Sequence, residues 1–428
     1  MTDPAQLYEK YLTCTGVSTD TRQILPGSLF FALKGPQFNA NTFAAEALAR
    51  GARFAVVDEA AYATDDRCVL VDDSLQALQA LATFHRRQLQ IPVVGLTGSN
   101  GKTTSKELLH AVLSTTYRTF ATKGNLNNHI GVPLSVLSIT SSHEMAIIEM
   151  GANHVGEIAA LSAIAQPTHG FITNIGKAHI GTFGGFENII RGKSELYDFL
   201  LANKGQVFVN SQNSILVPLT KRFLRPWTYP APGDDLQATL LSADPFVRIQ
   251  VEGGHEIQTQ LSGGYNFENI AVALCVGKYF GVDPNLAQQA VAGYRPGNMR
   301  SQVMRKGSNV ILLDAYNANP TSMAAAIENL AALKVPKKVA ILGDMFELEE
   351  EAEVEHRRIA QLLREKKFDQ VFLVGALFRT ALPDLPEAQH FDNKATLCAA
   401  LQQQPLTDAT ILVKASRGIG LESVVDVL

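Results

Sequence analysis

The sequence has few cysteines, no long apolar run and no large excess of charge, and each shortage excludes a class of protein. The four cysteines stand at positions 14, 68, 275 and 398, with no C-x-x-C pair and no histidine cluster at zinc spacing, so we expect ordinary thiols. No apolar run approaches the roughly 18 residues of a membrane span. The N-terminal MTDPAQLYEKYLTC lacks the apolar core of a signal peptide. We therefore expect a cytoplasmic protein with no membrane insertion.

The charge balance gives no reason to expect a nucleic-acid partner. Lysine and arginine number 37 against 41 aspartates and glutamates, a formal net charge of -4, and no basic run stands out. An anionic ligand would therefore be bound by a local site and not by a broad positive surface. The length of 428 residues, 46% of them hydrophobic, indicates a globular protein of two to four domains.

Strand and helix patterns indicate three domains of the α/β class. A small N-terminal α/β domain is predicted over 1–89, with strands at 28–33, 53–57 and 68–71. A central domain with a parallel sheet is predicted over 90–296, with strands at 93–96, 145–149, 170–174 and 206–209, an antiparallel addition within 225–262 and a helix at 266–279. Strands at 310–313, 339–342, 370–374 and 410–413 predict a doubly wound, Rossmann-like domain over 297–428. Ligands of such sheets bind beyond the carboxyl ends of the strands.

The stretch VVGLTGSNGKTTSKELL, residues 93–109, predicts a phosphate-binding loop. An apolar strand runs into a glycine-rich turn and then into a helix, whose N-terminal N–H groups and dipole favour anions. Lys102 adds a positive charge, and the hydroxyl of Thr103 suits Mg2+. The rest of the loop comprises Gly98, Ser99, Asn100, Gly101 and Thr104.

The T-G-x-N-G-K-T turn resembles the nucleotide loop of the Mur ligases and of the folylpolyglutamate synthetases, which use ATP to join a carboxylate to an amine. Resemblance to the Mur ligase family extends from Ser18 to Glu422, with its motifs in family order. It implies the three-domain Mur ligase architecture, with a central P-loop ATPase domain, and it implies ATP and Mg2+ as cofactors. In LGDMFELE and LVKASRGIGLE, Glu349 and Ala415 stand where the family pattern has glycines.

Three polar residues follow the central strands or lie on the next helix. Glu149 ends MAIIEM, His179 lies in TNIGKAHIG, and Lys193 lies in RGKSE. Taken one at a time, Glu149 would suit a helix cap, His179 a polar surface loop and Lys193 a solvated charge. The resemblance implies instead that they surround metal ions together with Thr103, and that Lys193 is carbamylated by CO2 when it does so. Lys102, His179, Lys193 and Arg300 are the catalytic residues that it implies.

The resemblance also implies a nucleotide site shared by the central and C-terminal domains. Asn266 and Asn269, in YNFENIAVAL, are expected at adenine, although such amides also cap helices. Arg300, in GNMRSQ, is expected to reach ATP phosphate, and Asp314, in LLDAYNANPTSM, to accept hydrogen bonds from the ribose. The loop that follows Asp314 is expected to present Tyr316, Asn317 and Asn319.

The N-terminal STDTRQILPGSLFF is similar to the uridine-nucleotide domain of the family. The substrate contacts that this implies are Ser18, Thr19, Asp20 and Arg22, with Asn127 and Asn128 of KGNLNNHIGVP, unless that loop only satisfies its own backbone. The YNANP-x-SM motif resembles family members that add D-alanyl-D-alanine to UDP-N-acetylmuramoyl-tripeptide for peptidoglycan. We expect that reaction from a monomer that closes about a hinge near 296–298. Another Mur-type ligase, a folylpolyglutamate synthetase and a nucleotide-binding scaffold remain alternatives.

Overall fold

The computed structural model describes residues 3–428, which form three successive α/β units. The N-terminal unit comprises α1 (Pro4–Leu12), β1 (Val17–Ser18), β2 (Leu29–Phe31), β3 (Lys34–Gly35), β4 (Phe38–Asn39), α2 (Ala44–Ala49), β5 (Phe54–Val57), β6 (Cys68–Leu70) and α3 (Ser74–Gln88). Its main sheet is parallel, in the order β1-β2-β5-β6. The short, fully buried strand β2 explains why LFF carries no polar alternation.

The central unit is built on a six-stranded parallel sheet in the order β12-β11-β10-β7-β9-β8. Its first elements are β7 (Val93–Thr97), α4 (Lys102–Leu113), β8 (Thr119–Ala121), α5 (Gly131–Leu137), β9 (Met145–Glu149), α6 (Glu157–Ala165) and β10 (His169–Ile172). Next come α7 (Ile180–Phe183), α8 (Phe186–Ala202), β11 (Gln206–Asn210), α9 (Leu216–Thr220) and β12 (Trp227–Tyr229). A three-stranded antiparallel sheet follows, with β13 (Ala238–Ser242), β14 (Arg248–Val251) and β15 (Glu256–Gln258). The unit ends with α10 (Asn266–Tyr279), which packs against α4, and α11 (Pro284–Gly293).

The C-terminal unit has a second six-stranded sheet, in the order β16-β17-β21-β18-β19-β20. Its elements are β16 (Gln302–Lys306), β17 (Asn309–Leu313), α12 (Pro320–Ala332), β18 (Lys338–Gly343), α13 (Ala352–Lys366), β19 (Gln370–Val374), β20 (Gln389–Phe391), α14 (Lys394–Gln403) and β21 (Thr410–Lys414). Only the edge strand β16 of this sheet is antiparallel, to β17. The parallel strands confirm the prediction of a doubly wound sheet.

The prediction of an antiparallel addition within 225–262 is correct for β13–β15 but wrong for its first residues. β12 pairs in parallel with β11 and extends the large sheet, because Tyr229 is buried against the central core. Among residues 3–428, no helix combines the length and the apolar character needed to cross a membrane.

Side-chain contacts join the three units. The N-terminal unit is tied to the central one by Tyr11, whose hydroxyl donates to Leu137 O at 2.6 Å. The central and C-terminal units meet where Asn319 Nδ2 donates to Asn100 Oδ1 at 2.7 Å. This last contact brings α12 of the C-terminal unit directly onto the phosphate loop.

Candidate active site

One cavity of about 1020 Å3 lies where the three units meet, beside the carboxyl ends of the central strands. Most of the residues singled out in the sequence line it: Ser99, Asn100, Gly101, Lys102, Thr104, Asn127, Asn128, Glu149, His179, Asn266, Asn269, Arg300, Asp314, Tyr316, Asn317 and Asn319. They come from loops that are far apart in the chain. The N-terminal unit contributes Gln79, from α3.

The phosphate loop is shaped by two glycines. Gly98 has φ +147° and Gly101 has φ +78°, and a Cβ on either would collide with a side chain, of Thr173 and of Asn269 respectively. Gly101 precedes α4, and no side chain caps that helix. The N-terminal N–H groups of α4 are therefore left for a ligand, and an anion is the ligand that they favour.

Lys102 reaches back over this loop. Its Nζ donates to Gly98 O at 2.7 Å and to Ser99 O at 3.3 Å. Burial and, to a smaller extent, the charge of Arg300 lower the pKa of Lys102 to about 8, against the attraction of Glu149. A bound phosphate would raise this pKa again, because an opposite charge favours the ammonium.

The end of β9 fits a hard cation. Glu149 is 1% exposed; its Oε1 accepts from Thr103 Oγ1 at 3.2 Å and from Asn127 Nδ2 at 2.8 Å. Its Oε2 is buried without a hydrogen bond and lies 3.6 Å from Lys106 Nζ. Within residues 3–428, no three His, Cys, Asp or Glu side chains are grouped as a ready metal cage. One carboxylate and one hydroxyl, completed by substrate phosphates and water, is nevertheless the set that Mg2+ accepts.

Lys193 lies behind the cavity wall and does not line it. It is 1% exposed, its Nζ donates to Ala152 O at 3.0 Å, and it lies 5.1 Å from the centre of the Phe183 ring. Burial lowers the pKa of Lys193 well below its ordinary value, and the charge of Lys102 acts in the same direction. A neutral amine, which this environment favours, is the form that reacts with CO2.

His179 sits at the junction with the C-terminal unit. It precedes α7 with φ +56°, and its Nδ1 lies 2.5 Å from Glu347 Oε2. The close approach of His179 lowers the pKa of Glu347. The structure thus gives this histidine a carboxylate partner that the sequence pattern did not indicate.

Asn266 and Asn269 form a buried chain of amides at the start of α10. Asn266 Nδ2 donates to Ser262 O at 2.7 Å, and Asn269 Nδ2 donates to Asn266 Oδ1 at 2.9 Å. Asn269 Oδ1 accepts from Ser105 Oγ at 2.9 Å, which links α10 to α4. Both amides line the cavity and also have partners within the protein.

The C-terminal wall is cationic. The Arg300 guanidinium carbon lies 3.9 Å from the centre of the Tyr316 ring, and Lys414 Nζ donates to Asp314 Oδ2 at 2.6 Å and to Asn317 O at 3.1 Å. Lys414 is 1% exposed, so its charge is compensated mainly by Asp314. Asp314 follows β17, as the sequence predicted.

Several predicted site residues lie outside the cavity lining, or also form hydrogen bonds that stabilise the fold. Gly98 and Thr103 belong to the loop and helix below the lining. Asn128 Oδ1 accepts from the N–H groups of Ile130 and Gly131 at the start of α5. The N-terminal set Ser18, Thr19, Asp20 and Arg22 does not line the cavity. Arg22 forms an ion pair with Asp20 and lowers the pKa of that carboxyl to about 2.

The sequence interpretation missed several lining residues. Lys414 and Arg417 lie in LVKASRG, Glu347 lies in LGDMFELE, and Glu157 begins α6. Lys414 ends the buried strand β21, so its position at a strand end was a usable signal. Nothing in the local pattern marks Glu347, whose partner is 168 positions away.

In this three-unit α/β protein the phosphate loop faces Arg300, which precedes the second doubly wound sheet, and Lys414, which ends β21. This arrangement is typical of a nucleotide-dependent enzyme. Three family models match the chain. The model described as "Mur ligase family, catalytic domain" matches residues 13–86, "Mur ligase middle domain" matches residues 96–277, and "Mur ligase, glutamate ligase domain" matches residues 299–417. The chain belongs to the Mur ligase family.

Relatives match over nearly the whole chain. The UDP-N-acetylmuramoyl-tripeptide--D-alanyl-D-alanine ligase of Bacillus subtilis (strain 168) is 35% identical, covering 96% of this chain and 92% of its own. The ligase of the same name from Escherichia coli (strain K12) is 33% identical over 97% and 94%. A crystal structure of MurF from Acinetobacter baumannii superposes with a TM-score of 0.88 at 31% identity, covering 99% and 97%. MurF ligase from Thermotoga maritima, solved in complex with ADP, gives 0.85 at 27% identity, covering 100% and 98%.

Proposed function

We propose that this chain is the ATP-dependent ligase that adds D-alanyl-D-alanine to UDP-N-acetylmuramoyl-tripeptide in peptidoglycan precursor synthesis. The observation that carries the proposal is the cavity between the three units, which brings together the phosphate loop, Arg300 and Gln79 of the N-terminal unit. The full-length relatives of that name support the substrates.

The reaction has two steps. The terminal carboxylate of the tripeptide attacks the γ-phosphorus of ATP, so that ADP leaves and an acyl phosphate forms. The amine of D-alanyl-D-alanine then attacks the acyl carbon, loses a proton, and phosphate leaves as the amide forms. Lys102, His179 and Arg300 would neutralise the charge that develops on the phosphoryl group and on the tetrahedral intermediate.

The other residues are assigned by their resemblance to the family's motifs. Thr103 and Glu149, with a modified Lys193 and His179, would hold Mg2+, which supplies charge neutralisation for phosphoryl transfer when bound. Asn266 and Asn269 are assigned to adenine, and Asp314 and Asn317 to the ribose side. The uridine substrate is assigned to Ser18, Thr19, Asp20, Arg22, Asn127, Asn128, Tyr316 and Asn319.

We propose the domain limits 1–89, 90–296 and 297–428, which separate the main parallel sheets of the three units. The enzyme is proposed to act as a cytoplasmic monomer on small-molecule substrates, with no nucleic-acid partner and no membrane insertion.

Phosphate release tests the function. ATP, Mg2+, UDP-N-acetylmuramoyl-tripeptide and D-alanyl-D-alanine are supplied together, and each is then omitted in turn. Release that needs all four, with a pentapeptide product by mass, is the expected result. Release with folate and glutamate instead would indicate a folylpolyglutamate synthetase, and no release with either set would indicate a scaffold.

A further inference from the structure

The linker that carries Arg300 is fastened to the phosphate-loop helix. Residues 294–301 join α11 to β16. The hydroxyl of Tyr294 donates to Glu107 Oε2. Asn298 Nδ2 lies 2.9 Å from Glu107 Oε1 and 3.0 Å from Oε2. Two side chains of the linker therefore converge on one carboxylate of α4.

The far end of the linker is fastened separately. Ser301 N donates to Asp314 Oδ1 at 3.3 Å, and Ser301 Oγ lies 3.0 Å from the Tyr265 hydroxyl. Only Met299 and Arg300 lie between the two anchors. The position of Arg300 is thus defined from both sides.

The backbone of this short span is strained. Met299 has φ +57° and Ser301 has φ +49°, a region that residues with a side chain rarely occupy. Such conformations persist only where the surroundings impose them. The contacts that hold this span are those at Glu107, Tyr265 and Asp314, together with a hydrogen bond from Tyr316 N to Met299 O at 3.3 Å.

Arg300 itself has spare binding capacity. Its side chain lines the cavity and stacks on Tyr316, and its Nε is buried without a hydrogen-bond partner in the described chain. A buried donor without a partner costs free energy that an anionic ligand can recover. Arg300 is therefore held ready for an anion.

We propose that Glu107 is a positioning residue, whose carboxylate holds the linker so that Arg300 faces the nucleotide phosphates. α4 begins at Lys102, so one helix carries the lysine of the phosphate loop and the anchor of the opposing arginine. Burial and the neighbouring Glu107 raise the pKa of Tyr294, which keeps its hydroxyl a donor. The inference rests on the proposed function, because it takes ATP as the ligand of Arg300.

ATP titration by calorimetry, without the other substrates, tests this on the full chain. We expect Glu107→Ala to weaken ATP binding about tenfold, the scale of one charged interaction, with a smaller loss for Tyr294→Phe. If Glu107→Ala does not fold, Glu107→Gln, which keeps the shape of the side chain and removes its charge, replaces it in the same titration. The matched control is Tyr117→Phe, which removes a hydroxyl bond to Phe280 O at 2.6 Å beside the same helix. It should leave ATP affinity unchanged.

A double-mutant cycle of Glu107 and Arg300 distinguishes a positioning role from a general loss of structure. In an Arg300→Ala background, Glu107→Ala should weaken ATP binding no further, since its effect passes through Arg300. Unchanged ATP affinity in Glu107→Ala, or an equal loss with and without Arg300, would overturn the proposal. If the wild type makes no pentapeptide, the proposed function fails, yet the ATP titrations still decide the role of Glu107. If the wild type ligates but Glu107→Ala binds ATP normally, only this inference fails.

Discussion

Lys177 Nζ lies 2.5 Å from Glu355 Oε1, in an ion pair that joins the loop after β10 to α13 across the central and C-terminal units. The Glu355 side chain is only 3% exposed, and its second oxygen has no hydrogen bond within the described chain. The packing of the two units against each other therefore buries a carboxylate whose charge is compensated from the other side of the interface.

Lys177→Ala should favour an open arrangement, because closure would then bury Glu355 without its partner. We expect a cost of about 1–3 kcal/mol, the usual penalty for an orphaned buried group, seen as a larger radius of gyration in X-ray scattering and a higher KM for ATP. The control is Arg222→Ala, which breaks an exposed pair with Asp198 at 2.5 Å and should change neither quantity. An unchanged radius and KM in Lys177→Ala would contradict the prediction.

Gly181→Ala should also hinder closure. A Cβ at Gly181 would lie 2.7 Å from Glu349 Cβ, still nearer its Cγ, and 3.0 Å from Leu348 C. Because Gly181 lies within α7 at an ordinary helical φ, alanine is tolerated locally and the collision falls on the C-terminal unit. We expect a lower kcat/KM for ATP with little change in melting temperature.

Glu349→Gly supplies the matched rescue. Glu349 has φ +49°, where the family pattern has glycine, so glycine fits the backbone and removes the colliding side chain. The double variant Gly181→Ala, Glu349→Gly should recover part of the lost kcat/KM, the contact with Leu348 remaining. Failure of the double variant to recover any activity would show that the collision is not the cause.

Local patterns were sufficient for the long elements but not for the short edge strands. β9 and α10 occupy the residues predicted, because a buried apolar run and a long helical segment are set by their own composition. β8 and β12 have three residues each, and β16 pairs antiparallel. Such strands form because they pair with the edge of a neighbouring strand, and this pairing cannot be read from the local sequence pattern.

The site divides in the same way. Residues at strand ends, such as Glu149 and Asp314, were found because strand ends converge in a parallel sheet. The pairs His179–Glu347 and Glu107–Tyr294 join residues that are far apart in the chain, and their geometry depends on how the elements pack. The motifs therefore predict which residues lie at the ligand site, but not which other residues position those side chains.

Lys193→Ala should abolish ligation and be partly rescued by short carboxylic acids if the buried amine carries CO2 in the active enzyme. Modification joins the neutral amine to CO2 through an N–C bond and releases one proton, so that a neutral group becomes an anion. Rescue by acetate or formate is measured as restored phosphate release, and Lys102→Ala is the control, since a carboxylate cannot replace a cation there. Lack of rescue, with an unmodified mass for wild-type Lys193, would refute the carbamate and leave the ligase assignment intact.

His169 should make the fold sensitive to mild acid. It packs among the rings of Phe208, Tyr279 and Phe280, and burial lowers its pKa from 6.5 to about 4. Between these values the unfolded chain binds more protons than the folded one, so the free energy of unfolding falls as pH drops from 6.5 and stops falling below about 4. The melting temperature of His169→Phe should therefore fall less than that of the wild type between pH 7 and pH 5. His255 is exposed, so the melting temperature of His255→Gln should change with pH as that of the wild type does. Parallel curves for all three proteins would mean that the buried imidazole is not the acid-sensitive group.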